Sequence, residues 1–431
     1  MKKLLHAQTL KGVVHDIDIS ESVALSKKIK GYIYGKLYSE KTDLIYDART
    51  SYEEDGAFRH LPTAEEIRLN LPNPCSWNTG MENSAMYCGI MLETIADEYF
   101  ATGNESLKKE AEIQIRGLKN LCSVSGIRGF LARSISPEDG KSFYIDSSRD
   151  QYTHVIFGAY KYLLSSLCDE EERAFLTDML VSFAEYAEKC VTEENEYKLL
   201  RADGKPGMVT CMYKYICPHE WARLPMFYLA AYNFSKDDHW LVFYKQVRDE
   251  AIDGSFKRFE EGRGVHLFST DQMQISLRLL YDLEEEEEYK NRYLELMRFV
   301  AEYADGVAEE INEKTLDEKF ADLQVEWRKQ KFIYNIWIKG NLPAYGYAYN
   351  MPQLDGKATE DLWALHDAAS AIHIKALCPD CKIEGKEIKA FYDISERVDY
   401  EKHATESPVY MINALWAMEK LFRENSCEAL L

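Results

Sequence analysis

The chain lacks any apolar run long enough to cross a bilayer, which excludes a helical membrane protein. It lacks an apolar h-region behind Met1-Lys-Lys-Leu-Leu-His6, so no secretory leader is read and a cytoplasmic location is expected. Positive charge is scarce: 52 Lys and Arg stand against 73 Asp and Glu, a formal net charge of -21. That balance excludes non-specific attachment to nucleic acid or to an anionic membrane surface. It does not exclude an anionic small ligand, because a site can supply its own arginines. Some of the acid is local: Glu284 to Glu288 are consecutive glutamates between two expected helices, read as a solvated turn.

Familiar chemical signatures are missing too. There is no Walker A loop, no G-x-G-x-x-G ahead of a strand-like run, no H-E-x-x-H and no G-x-S-x-G. The ten cysteines form no framework. Cys88, Cys122, Cys168 and Cys190 fall on apolar helix faces and are expected as buried free thiols. Cys378-Pro-Asp-Cys381 is a lone C-x-x-C, and a zinc site would need a second ligand pair, for which His373 or His403 would have to be recruited. No metal and no cofactor are expected.

What is present is helical periodicity. With 46% hydrophobic residues and 13% aromatics, the composition is that of a globular protein. Apolar residues recur at i, i+3, i+4 over 20–38, 83–102, 105–121, 151–167, 170–190, 220–232, 236–252, 272–283, 287–303, 360–377, 386–392 and 408–422. Gly103-Asn104 supplies a C-cap followed by an N-cap. Connections within a pair are short and those between pairs are long. The expectation is one all-α domain over residues 1–431, an (α/α)6 toroid of six helical hairpins with its long loops gathered at one mouth. Segments 128–133 and 198–215 are turn-rich and expected as small β-hairpins there. The aromatic, Gly/Pro-rich segment 337–352 is expected as a binding loop.

Polar and aromatic residues cluster where long segments meet helix starts: Trp77 to Asn83, Asp146 to His154, His219 to Arg223, Asp271-Gln272, and Glu360 to Asp367. In the second of these, Asp150-Gln-Tyr-Thr-His154 opens an expected inner helix. It resembles the loop–helix junction of the six-hairpin glycosidase superfamily, distantly the unsaturated uronyl and rhamnogalacturonyl hydrolases. Trp77-Asn-Thr-Gly-Met-Glu82-Asn83 is similar to a substrate-facing hairpin start in uncharacterised gut-bacterial members. The resemblance implies Asp150 as general acid/base. The chain departs from the family's frequent Asp-Asp or Asp-Gly pair, because Gln151 follows Asp150, and the partner carboxylate would have to be Glu82.

The residue chemistry allows that reading and its rivals. Glycosidic cleavage needs a proton donor and usually a second carboxylate. Asp150 and Glu82 are the catalytic candidates, and a helix N-cap or first-turn ion pair is the alternative role for each. Trp77, Trp221 and Trp363 offer faces for sugar stacking. Arg128, Arg133, Arg149 and Arg223 offer bidentate contacts to a uronate carboxylate, with Arg223 alternatively bridged to Glu220. Gln151, Tyr152 and Asp271 are further candidate ligands, although an N-cap is the favoured role for Asp271. His154 lies at i+4 from Asp150, and His219 and His366 complete the set. The leading expectation is a hydrolase of a short, uronic-acid-containing oligosaccharide that forms no nucleic-acid or membrane complex and can form a homo-oligomer. The rivals are a lyase or sugar epimerase using His154, His219, His366 or Tyr152, and a non-catalytic sugar-binding scaffold.

Overall fold

The computed structural model describes residues 19–51, 53, 56–262, 266–313, 326–334, 350–352, 356–400 and 407–428. Its helices start and stop where local chemistry directs. The chain leaves α3 (Ser84–Thr102) through Gly103 in the left-handed conformation at φ 65°, and the Asn104 side chain caps the next turn through Ser106 N–H. The helix that follows is α4 (Lys108–Ser123). Asp169 and Glu172 form a reciprocal capping box at α6 (Glu170–Cys190), behind α5 (Arg149–Leu164).

The remaining helices are α1 (Ile19–Tyr32), the short α2 (Ala64–Arg68), α7 (Arg223–Ser235), α8 (Asp238–Glu260), α9 (Leu267–Leu283), α10 (Glu287–Glu302), α11 (Val307–Glu313), α12 (Gly356–Leu377), α13 (Gly385–Arg397) and α14 (Ser407–Glu428). Among the described residues, strands occur as antiparallel two-stranded ribbons: β1 (Tyr38–Ser39) with β2 (Leu44–Ile45), β3 (Lys198–Leu200) with β4 (Pro206–Cys211), and β5 (Phe332–Tyr334) with β6 (Asn350–Pro352). None of the helices described is long and apolar enough to cross a membrane.

Two helix populations differ in how they are buried. Every residue of α3 from Ser84 to Glu98 is buried, as is α9 from Ser269 to Leu277. In α4 and α10 burial follows one stripe, Ala111, Ile115, Leu118 and Leu121 in the first and Tyr293, Leu296, Met297 and Val300 in the second. The fully buried helices contact one another in sequence: α3 with α5, α5 with α7, α7 with α9, α9 with α12, α12 with α14, and α14 with α3. α5 also touches α9. The one-sided helices lie against these, α4 on α3, α6 on α5 and α7, α8 on α7, α10 on α9, α13 on α12 and α1 on α14.

The α3–α5 contact is made by main chain. A Cβ at Gly89 would collide with the backbone of His154 and Val155, and one at Gly158 with the backbone of Gly89. The absence of side chains at these two positions lets the helices approach to backbone contact.

Several expectations are corrected. The first helix does not continue to Tyr38: a π-turn, Ile33–Leu37, follows Tyr32 and feeds β1. α9 begins at Leu267, five residues before the expected start, so Asp271 lies inside it and caps nothing. Segment 128–133 contains turns and no strand, whereas 198–215 does contain a ribbon. Of segment 337–352, residues 337–349 lie outside the described residues. The glutamate run is not wholly solvated: Glu284 is buried and accepts hydrogen bonds from Tyr244 Oη and, at 3.0 Å, from Arg248 Nη1. Burial of one glutamate follows from these two donors. Cys75, Cys88, Cys168 and Cys190 are buried free thiols, Cys122 is a half-buried one, and Cys378 is joined to Cys381.

Candidate active site

The start of α3 carries Glu82. Its carboxylate accepts from Asn78 N–H at 3.2 Å and from Arg133 Nη2 at 3.1 Å, while Arg133 Nε donates to the Glu82 carbonyl at 2.8 Å. Arg133 is buried, and the Glu82 side chain keeps 24% of its exposure. Burial raises the Glu82 carboxyl above its ordinary range, and Arg133 opposes that rise. Behind Glu82 lies Asp47, which sequence reasoning missed. Its carboxylate accepts the backbone N–H of Glu82 and, at 2.7 Å, that of Asn83. Burial and then the Glu82 charge push the Asp47 carboxyl up to about 7, against the pull of these two N–H groups.

Gln151 completes this turn. Its Oε1 accepts Met86 N–H at 2.8 Å, and its Nε2 donates to Asn83 Oδ1 at 3.0 Å. The residue is fully buried and tied to α3, so it serves as a cap supplied by a neighbouring helix.

The start of α5 differs. Its N-cap is Ser148, whose side chain makes no capping bond, and Asp150 is the second residue of the helix. Asp150 therefore does not cap. Its Oδ1 lies 3.3 Å from Arg223 Nη2 and 3.7 Å from Arg149 Nε, and its side chain keeps 22% of its exposure. Arg149 Nη1 lies 3.2 Å from Glu220 Oε1. Glu220, named in the sequence only as a partner for Arg223, is buried, and burial raises its carboxyl.

Arg223 is the hub. It is fully buried and donates to Thr153 Oγ1 at 2.5 Å, Gln272 Oε1 at 2.6 Å and the His219 carbonyl at 3.2 Å. Its Nη2 lies 3.1 Å from His219 Nδ1. Burial and then Arg149 and Arg223 hold the His219 imidazole well below its usual range, so it accepts this contact as a neutral ring. One side chain thereby joins α5, the turn before α7 and α9.

His154 is buried one turn below Asp150, and its Nδ1 has no hydrogen-bond partner among the described residues. Burial lowers it to about 4, although Asp271 and Glu93 pull the other way. Deeper still, His373 lies between Asp271 (2.8 Å) and Glu93 (3.1 Å). Burial lowers it, but the two carboxylates outweigh burial and hold it up to about 10. Burial favours the neutral form of His154, whereas its two carboxylate neighbours favour the charged form of His373.

The other sequence candidates are distributed as follows. Trp77 is almost buried, its N–H bonded to Asn73 Oδ1 at 3.0 Å, in the segment that leads to Glu82. His366 is buried with its ring edge-on to Tyr410 at 3.9 Å between centroids. Trp363 lies in α12, but its side chain is outside the described residues.

Three candidates are not brought to the cluster. Arg128 is exposed and paired with Asp178 at 2.9 Å and Glu185 at 2.6 Å on α6. Tyr152 is buried against Phe183 and Phe227, its Oη between Leu131 N–H and Gly129 carbonyl. It is two residues from Asp150, and positions i and i+2 face different sides of a helix. Trp221 packs over Gly254 of α8 and donates Nε1–H to the Tyr215 carbonyl at 2.9 Å.

Cys217, His219 and Glu220 bring three metal-ligating atoms within 4.8 Å of one another. Two guanidiniums already contact this group, Arg149 at Glu220 and Arg223 at His219. A metal ion would have to displace one and be repelled by both, so these residues fit arginine pairing better than a metal. Cys378, Asp380 and Cys381 form a second such group, but its two sulfurs are joined to each other.

Neither a family model nor a curated protein matches this sequence.

Proposed function

We propose that this chain is a carbohydrate-active hydrolase on an α/α toroid, cleaving a glycosidic bond in a short oligosaccharide. The toroid reading is supported by the sequence of contacts that runs from α3 through α5, α7, α9, α12 and α14 back to α3. The enzymatic reading is carried by one observation. Adjacent buried helices each begin with a carboxylate that keeps access to solvent, Glu82 and Asp150, at 24% and 22% side-chain exposure. The roles follow from their surroundings. We assign Glu82, raised by burial, as the proton donor, and Asp150, flanked by two guanidiniums, as the carboxylate that activates water or attacks carbon. The resemblance implied Asp150 as the general acid/base; in this reading the acid role passes to its partner Glu82.

The test is release of reducing ends from a panel of defined oligosaccharides. Glu82→Gln and Asp150→Asn should each lower turnover by a factor on the order of 10²–10⁴ while the protein stays folded. Near-normal turnover in either folded variant overturns the assignment.

His154 supports a second reading. A neutral imidazole with an unpartnered Nδ1 one turn below Asp150 suits proton abstraction in elimination or epimerisation. A product absorbing as a new conjugated double bond, lost in His154→Gln, would favour it over hydrolysis.

A further inference from the structure

We infer that the mouth at the start of α5 takes an uncharged, polyhydroxylated ligand, not a uronate. The inference rests on the sugar-processing reading above and names the charge class of its substrate.

The arginines expected to receive a uronate are already engaged. Arg128 belongs to the α6 surface, and Arg133 is held by Glu82. Arg149 and Arg223 face Asp150 and Glu220, two cations against two anions. A ligand carboxylate entering here would meet balanced charge and would have to displace an internal carboxylate from its arginine. Each displaced carboxylate would then be a desolvated anion without its counterion.

The unsatisfied atoms point the same way. Asp150 Oδ1, Glu220 Oε1 and Glu220 Oε2 are buried from solvent and accept no hydrogen bond among the described residues, although Asp150 Oδ1 and Glu220 Oε1 lie in ion pairs. They need donors. Arg149 Nε and Ser148 Oγ are buried beside them without a hydrogen-bond partner, and they offer donors. A carboxylate ligand supplies acceptors only and leaves the three oxygens unmet. A sugar hydroxyl donates one hydrogen bond and accepts others, so neighbouring hydroxyls meet both kinds of atom at once. A cationic amino sugar would satisfy the oxygens but would face Arg149 and Arg223.

The experiment is calorimetric titration of the full chain with matched oligosaccharides of two to four units: neutral hexoses, uronates of the same linkage, and glucosamine oligomers. Neutral oligosaccharides should bind at least tenfold more tightly than both charged sets, with affinity unchanged between about 50 and 500 mM salt. Glu220→Gln should weaken neutral binding by roughly tenfold or more, the usual scale for a hydrogen bond to a charged group. The same variant would strengthen binding of a uronate, because it removes a repelling charge. Tighter binding of uronates than of neutral oligosaccharides by the wild type, or a salt-weakened affinity for the neutral set, overturns the inference and leaves the sugar reading standing. Absence of binding by every sugar set overturns the sugar reading itself. If Glu220→Gln does not fold, the wild-type ranking and its salt dependence decide alone.

Discussion

At the start of α3, four backbone N–H groups find acceptors outside the helix: those of Glu82 and Asn83 on Asp47, that of Ala85 on the Arg133 carbonyl, and that of Met86 on Gln151. At the start of the adjacent α5, the Ser148 side chain caps nothing, and Asp150 Oδ1, Arg149 Nε and both Glu220 carboxylate oxygens are buried without a hydrogen-bond partner among the described residues. Buried polar atoms are normally hydrogen-bonded, and a turn whose buried side-chain atoms lack partners leaves them for a ligand to meet. One turn is closed by the protein, and its neighbour is left for something else to close. Changes at the first should therefore be read in stability, and changes at the second in binding and turnover.

The sharpest way to break this contrast is through Asp47. Its carboxyl is pushed from 3.8 up to about 7 by burial and the Glu82 charge. The folded chain then holds a proton that the unfolded chain releases. The stability this group contributes is full below about pH 4 and is lost as pH rises through 7. Asp47→Asn cannot ionise and should lack that slope. Between about pH 4 and 7.5 the wild type should lose on the order of 2–4 kcal/mol relative to the variant, read from urea unfolding at both pH values. Parallel pH curves would remove Asp47 from this role.

A smaller effect is expected at Gln151. Gln151→Ala leaves the buried Met86 N–H without its acceptor and Asn83 Oδ1 with only the longer 3.5 Å contact from Arg133 Nη2. It should destabilise by about 1–3 kcal/mol in thermal or urea unfolding. An unchanged midpoint would mean that the α3 turn does not depend on this cap.

The smallest effect is expected at Arg128. Arg128→Ala removes exposed ion pairs to Asp178 and Glu185. It should change stability by less than about 1 kcal/mol and leave turnover unaltered. A tenfold fall in kcat/KM would place Arg128 in the site after all.

The sequence made the helical pairing legible, because apolar periodicity and caps such as Gly103-Asn104 act locally. It also marked the segments holding Glu82, Asp150, His219 and Arg223, whose polar residues interrupt apolar runs at helix starts. It could not show which arginine meets which acid. Arg149 pairs with Glu220, 71 positions away, and Arg223 reaches Thr153 and Gln272. Asp47 carried no local signal, since its partners are 35 and 36 positions further along. The Glu93–His373–Asp271 triad joins three helices, and each member alone reads as an ordinary polar residue on a helix. Tyr152 shows that nearness in sequence does not place a side chain: it is two steps from Asp150 and faces a different side of the helix.

The contact of α3 with α5 through Gly89 and Gly158 bears on the proposed chemistry in another way. No side chain stands between the two helices at that crossing, so no rotamer change can widen the gap. Glu82 and Asp150 are carried on what amounts to a single rigid caliper. The interval between them, which separates direct displacement from attack by an intervening water, is set by main chain against main chain. Loosening the outer helices by heat or by remote substitution should slow such an enzyme without altering the stereochemistry of its product.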